Sequence, residues 1–182
     1  MKKIIPLLLF LSSLLFADAK VYLGTGYAYN SETISYNNTT KTVDNNALRL
    51  KIGYGDIKAY AIELSFDYID NNSAIFDNDD GKKYEFNVEL LKAFDFGIYI
   101  NPFFKAGFGS GYLETPADQY NGSLSYGSFN LGTGFFLPIN KHVDFECTYE
   151  YKNLSYQSLD DTTNNKPTSN VNILYLGVNY RF

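Results

Sequence analysis

The sequence predicts an all-β fold, an eight-stranded antiparallel up-and-down transmembrane β-barrel. Three observations point to it. Eight stretches alternate apolar with polar or small residues at period two, the period of a strand and not of a helix. After the leader no apolar run approaches the ~18 residues of a helical span. Yet 45% of the chain is hydrophobic and 18% aromatic, with 17 Tyr, 15 Phe and no Trp. The stretches are joined alternately by long polar segments and tight turns, as in transmembrane barrels with long loops at one end and short turns at the other. A chain that crosses lipid on strands has to close, because hydrocarbon cannot satisfy an open sheet edge.

Residues 1–19 read as a secretory signal peptide. Lys2 and Lys3 form a basic start, Ile4 to Phe16 an apolar core, and Ala17-Asp18-Ala19 an A-x-A cleavage site. The remaining 20–182 are enough for one domain, the barrel itself. Removing the leader's two lysines and one aspartate takes the net charge from −5 to −6. That acidic balance argues against nucleic acid as a partner. Cys147 is the single cysteine, so neither a disulfide framework nor a thiolate metal site is expected.

In chain order, the first strand is expected at Val21–Asn30, followed by a polar loop, Ser31 to Asn45. The second is expected at Asn46–Gly55, then a tight turn at Asp56 to Lys58. The third shows the cleanest alternation, Tyr60, Ile62, Leu64, Phe66 and Tyr68 against Ala61, Glu63, Ser65 and Asp67. After a polar loop to Lys83, the fourth covers Tyr84–Lys92. A short turn leads to the fifth, Ile98–Tyr112, in which Pro102 belongs near a strand end or bulge because it has no N–H to donate. The sixth runs Ser125–Leu137 and turns at Pro138 to Lys141. The seventh alternates Val143, Phe145, Cys147, Tyr149 and Tyr151 with Asp144, Glu146, Thr148 and Glu150. A loop from Asn153 to about Asn170 precedes the eighth. Ten strands would result if one of the long loops held a hairpin.

The eighth strand carries Leu174, Leu176, Val178, Tyr180 and Phe182 on one face, against Tyr175, Gly177, Asn179 and Arg181 on the other. The row resembles the terminal strand of bacterial outer-membrane barrels. In that family it is also the signal read by the barrel-assembly machinery.

Alternation leaves open which face points inward. A secreted barrel that encloses a ligand would turn its apolar face in. The interior of an eight-stranded barrel barely holds its own side chains, and four or five large apolar residues per strand would overfill it. Glycines concentrate on the polar face, at Gly24, Gly26, Gly53, Gly107, Gly109, Gly132, Gly134 and Gly177. The apolar face is therefore expected to point out, to lipid. Tyr27, Tyr29, Tyr54, Tyr60, Tyr68, Tyr84, Tyr151 and Tyr180, near the strand ends, would form aromatic girdles.

The lumen would then hold Arg49, Lys51, Glu63, Asp67, Glu85, Glu89, Lys105, Asp144, Glu146, Glu150 and Arg181. Charges in a narrow, partly dry interior need partners. Arg49 and Lys51 can meet Glu63 and Asp67 across one strand pair. Arg181 can meet Glu146 or Glu150 across another. The same residues could instead line an ion path.

The alternation over nearly the whole chain, the stretch Pro102-Phe103-Phe104-Lys105-Ala106-Gly107-Phe108-Gly109 and the final Phe182 resemble the small eight-stranded outer-membrane β-barrel family, which includes the membrane domain of outer membrane protein A. The resemblance implies the outer membrane of a Gram-negative bacterium. It implies outer-membrane lipid and lipopolysaccharide as surroundings, the assembly machinery as a partner during insertion, and a monomer. No peptidoglycan-binding domain is expected after Phe182, and so no anchoring role through one.

Little points to chemistry. The single histidine, His142, sits in a turn without a neighbouring Ser, unlike the pattern that lipid-modifying barrels resemble. Asp77-Asn78-Asp79-Asp80-Gly81 fails the calcium-loop pattern, because Phe76 and Asn87 occupy its first and last positions. Cys147 reads as a small hydrophobe facing lipid. No cofactor and no catalytic residue are expected. The expected role is structural or surface-interacting through the exposed loops, with a small porin-like channel as the alternative and a lipid-modifying enzyme further behind.

Overall fold

The structure, a computed structural model, describes residues 19–36, 39–70, 81–115, 122–158 and 166–182. The leader up to residue 18 and the stretch Asp77 to Asp80 lie outside them.

The strands are β1 (Lys20–Tyr36), β2 (Thr39–Gly55), β3 (Tyr60–Asp70), β4 (Lys83–Ala93), β5 (Asn101–Glu114), β6 (Ser123–Pro138), β7 (Val143–Tyr156) and β8 (Thr168–Arg181). Each pairs antiparallel with the next. β1 pairs back onto β8 from Tyr22↔Arg181 to Ser35↔Thr168, which closes the barrel. Eight strands are present among the described residues, so the ten-strand variant is not adopted there.

Side chains sort as the alternation requires. On β2, Leu48, Leu50 and Ile52 are about half exposed, whereas Arg49 and Lys51 between them expose 1% and 5%. Six of the eight girdle tyrosines are exposed, and Tyr60 and Tyr84 are half-buried. Several outward hydroxyls meet asparagines on the adjacent strand: Tyr27 bonds Asn46, and Tyr151 donates to Asn170 at 2.7 Å.

Several strand ends differ from expectation, two of them most; β7 also runs on to Tyr156, through residues 153–156 read as loop. Ser31–Asn45, read as a loop, is mostly ladder: Ser31↔Asp44 through Tyr36↔Thr39 continue the β1–β2 pairing. Thr33 and Thr42 bring their hydroxyls to 3.1 Å, and Ser35 and Thr40 to 3.4 Å. The outward positions there are polar, so the apolar alternation fades while the backbone ladder goes on. The wall therefore rises on one side, with 17 residues in β1 and β2 against 11 in β3 and β4. The second difference is that β5 starts at Asn101 and not Ile98, which leaves a seven-residue turn, 94–100.

The other turns on that side are four residues each, 56–59 and 139–142. In the first, Asp56 Oδ1 accepts the Lys58 N–H at 2.8 Å. In the second, Asn140 Oδ1 accepts the N–H groups of His142 and Val143 at 2.8 and 2.9 Å. Ile57 folds from its turn into the barrel mouth and is 1% exposed. It joins Tyr22, Ala61, Leu91, Ala93, Phe103 and Phe136 in an apolar plug at the turn end of the lumen. A second apolar cluster, including Leu113, Leu124, Tyr126, Tyr156 and Tyr175, fills the lumen toward the opposite end. Most of the charged side chains lie between the two.

Candidate functional site: the charged lumen

Period-two alternation puts Arg49 and Lys51 on the inner face of β2, Glu63 and Asp67 on that of β3, Glu85 and Glu89 on β4, Lys105 on β5, and Asp144, Glu146 and Glu150 on β7. All of them are buried. The pairs expected between β2 and β3 form. Arg49 grips Asp67 with Nε to Oδ1 at 2.6 Å and Nη2 to Oδ2 at 2.8 Å. Lys51 Nζ donates to Glu63 at 3.0 Å.

The same two cations also cross the lumen. Arg49 reaches Glu150 on β7 at 2.5 and 3.1 Å, and Lys51 bonds Glu146. From the opposite side Lys105 reaches Glu150 at 2.6 Å and Glu89 at 3.0 Å. β7 is thus tied through its carboxylates to β2 and β5, and the interior is braced across its width. Charge-assisted and bidentate bonds of this kind are the strong ones. Tyr175 adds its ring 5.0 Å from the Arg49 guanidinium.

Space in the lumen is filled as well. A Cβ built on Gly53 would lie 2.1 Å from Cζ of the Tyr22 ring, and one on Gly177 would lie 2.1 Å from the Tyr175 hydroxyl. On Gly24 it would meet Asn179 Oδ1 at 2.2 Å. Inner glycines are the seats on which rings and charged stems lie.

Three buried charges were not read from the sequence. Lys152, on the extension of β7, donates to Glu85 at 3.0 Å and to Asp67 at 3.3 Å. Lys83 Nζ reaches both carboxylate oxygens of Glu32 at 2.6 Å, a strut from β4 to β1 near the outer mouth. The same Glu32 accepts from the Ser169 hydroxyl at 2.6 Å and from the Tyr156 hydroxyl at 3.2 Å, while the Tyr156 and Tyr126 rings flank the Lys83 ammonium. Glu32, Lys83 and Lys152 sat in or beside stretches read as loops. Carrying the inward phase of each strand two to four residues further would have found them.

The family model described as the outer membrane protein beta-barrel domain matches residues 7–182. The chain belongs to that family. It is an integral β-barrel protein of the Gram-negative outer membrane. Solved structures agree in fold. Neisserial surface protein A is 16% identical with a TM-score of 0.68, over 90% of this chain and 99% of that one. Ail, the attachment invasion locus protein of Yersinia pestis, in complex with the heparin analogue sucrose octasulfate, is 20% identical with a TM-score of 0.56, over 90% and 99%. OprG from Pseudomonas aeruginosa is 15% identical with a TM-score of 0.57, over 91% and 97%. No curated protein matches the chain in sequence.

In this outer-membrane barrel the expected partner of Arg181 is corrected. Its guanidinium lies 2.5 Å from Asp144, not on Glu146 or Glu150. The β7–β8 register sets Asp144 opposite Asn179, while Glu146 and Glu150 face Gly177 and Ile173, further along β8 from Arg181. Glu146 takes Asn179 at 2.9 Å instead. Leu174, Leu176, Val178, Tyr180 and Phe182 form one exposed outward row. His142 stacks on Tyr180, and its Nδ1 lies 2.9 Å from the Arg181 carbonyl oxygen. Cys147 faces outward, half-buried. Among the described residues no group of His, Cys, Asp or Glu is arranged to hold a metal.

Proposed function

We propose that this outer-membrane barrel is a closed scaffold that presents its outer loops and the tall β1–β2 hairpin to partners outside the cell, rather than a pore. The observation that carries the reading is the cross-braced lumen. A water path needs charges facing water, and here Arg49, Lys51, Lys105, Glu146 and Glu150 spend their bonds on one another at 5% exposure or less. The porin-like alternative draws on the same charges and would need the braces to part.

The outer segments narrow the kind of partner. In sequence, the strand ends there and the segments that join them carry Asp44, Asp70, Asp77, Asp79, Asp80, Glu114, Asp118, Asp160 and Asp161 against Lys41, Lys82 and Lys166. Such a surface repels polyanions and favours cationic or neutral partners. A sulfated glycan of the kind that accompanies Ail is therefore a poor fit to this chain.

The outward wall takes outer-membrane lipid, with lipopolysaccharide around the outer rim. The row Leu174, Leu176, Val178, Tyr180 and Phe182 is the segment for the assembly machinery to read, and the barrel acts as a monomer.

The test replaces residues 33–42 by a tight turn and shortens the three outer loops. Both forms are checked for folding by heat-modifiable gel mobility. Cells displaying the full-length protein should adhere to immobilised cationic proteins and lose that adhesion in the trimmed form. Adhesion that survives trimming, or that prefers heparin-like surfaces, contradicts the reading.

A further inference from the structure

The turn between β4 and β5 is unlike its two neighbours at the same end of the barrel. It runs Phe94-Asp95-Phe96-Gly97-Ile98-Tyr99-Ile100, seven residues with five large apolar side chains. Turns 56–59 and 139–142 are four residues long and carry one large apolar side chain each, Ile57, which is buried, and Ile139. Its tip is open: Phe96 is 66%, Ile98 56% and Tyr99 86% exposed. The shape is nevertheless fixed. Asp95 Oδ1 accepts the Gly97 N–H at 2.9 Å, and its Oδ2 lies 3.0 Å from Lys58 Nζ of the neighbouring turn. The Phe94 N–H donates to the Pro102 carbonyl at 2.9 Å. Gly97 has φ 68°, a left-handed conformation that suits glycine and sharpens the bend.

Exposed aromatics in water carry a cost that a polar turn avoids, so the tip calls for a cover. What covers it is indicated by continuity with the lipid-facing wall. Phe94 lies 6.2 Å edge-to-face from Phe104 and 6.1 Å parallel to Phe96. The outward row of β5 thus runs unbroken into the turn. Lys92 sits with its ammonium 3.9 Å from the centre of the Tyr60 ring and 5.5 Å from that of Phe94. An aromatic cluster topped by lysines suits the boundary between acyl chains and phosphate headgroups. The end with the short turns faces the periplasm in bacterial barrels.

We propose that turn 94–100 is a bilayer anchor that seats Phe96, Ile98 and Tyr99 in the phospholipid leaflet facing the periplasm, with Lys92 at headgroup level. It pins the depth of the β4–β5 side, where the wall is short at its outer end.

The chain has no tryptophan, so a single introduced indole reports its own surroundings. Phe96→Trp and Tyr99→Trp are placed in the full-length barrel in phospholipid vesicles, with Leu64→Trp on the mid-wall as the deep reference. Both turn positions should be quenched several-fold more by brominated acyl chains than by aqueous iodide. Bromines near the headgroup end of the chain should quench them best, whereas Leu64→Trp should respond most to bromines near the chain end. Iodide quenching of both turn variants at the level of free tryptophan would place the tip in water and overturn the proposal. Shielding from both quenchers overturns it as well, because the cover would then be protein, such as a second copy of the chain.

Discussion

Neighbouring side chains on one strand live in opposite surroundings. Leu50 on β2 stands half exposed on the outer wall, and Arg49, one residue away, is sealed in the lumen on four hydrogen bonds. Lipid accepts any apolar side chain, so the outer face needs only to be apolar. The inner face needs particular partners, because each buried charge is costly unless matched. The wall carries membrane compatibility and the lumen carries the specific structure.

This contrast can be broken by mutation, and the largest effect belongs in the lumen. Arg49→Ala removes four charge-assisted bonds and leaves Asp67 with Lys152 and Glu150 with Lys105 as their remaining cations; breaking a buried pair costs about 3–5 kcal/mol. Urea unfolding in vesicles should show a loss on that scale. Next, Leu64→Lys puts a charge into lipid at a cost of roughly 2–4 kcal/mol near the midplane. Gly53→Ala is a single methyl group, yet it meets the buried Tyr22 ring at 2.1 Å. Overpacking of this kind costs about 1–3 kcal/mol. At the small end, Leu50→Met exchanges one apolar outward side chain for another and should stay within about 0.5 kcal/mol. If Leu50→Met were as damaging as Gly53→Ala, the division of labour between the two faces would be wrong.

The parts legible in the sequence are those where lipid imposes a pattern. β3 is read almost to the residue because Tyr60 to Tyr68 alternate inside the bilayer on both faces. The upper halves of β1 and β2 are not, because Thr33, Ser35, Thr40 and Thr42 stand beyond the lipid and have no need to be apolar. The same blindness hid Glu32 and Lys83, which point inward from strand ends that read as loop. Arg49–Asp67 and Lys51–Glu63 were within reach because a tight turn limits the β2–β3 register. Arg181–Asp144 was not, because the β7–β8 connection is long and the choice among three acids depends on register. The braces from β7 to β2 and β5 join strands that are not adjacent, and no local pattern records them.

The claim that the braced lumen is closed is tested most directly by single-channel recording of the wild-type protein in a planar phospholipid bilayer. With Arg49, Lys51 and Lys105 bound across the interior, the account predicts no steady current, and rare openings only in variants such as Arg49→Ala. A steady, ion-selective current from the wild type, carried at low voltage and unchanged by time in the bilayer, would contradict it and make the lumen a channel.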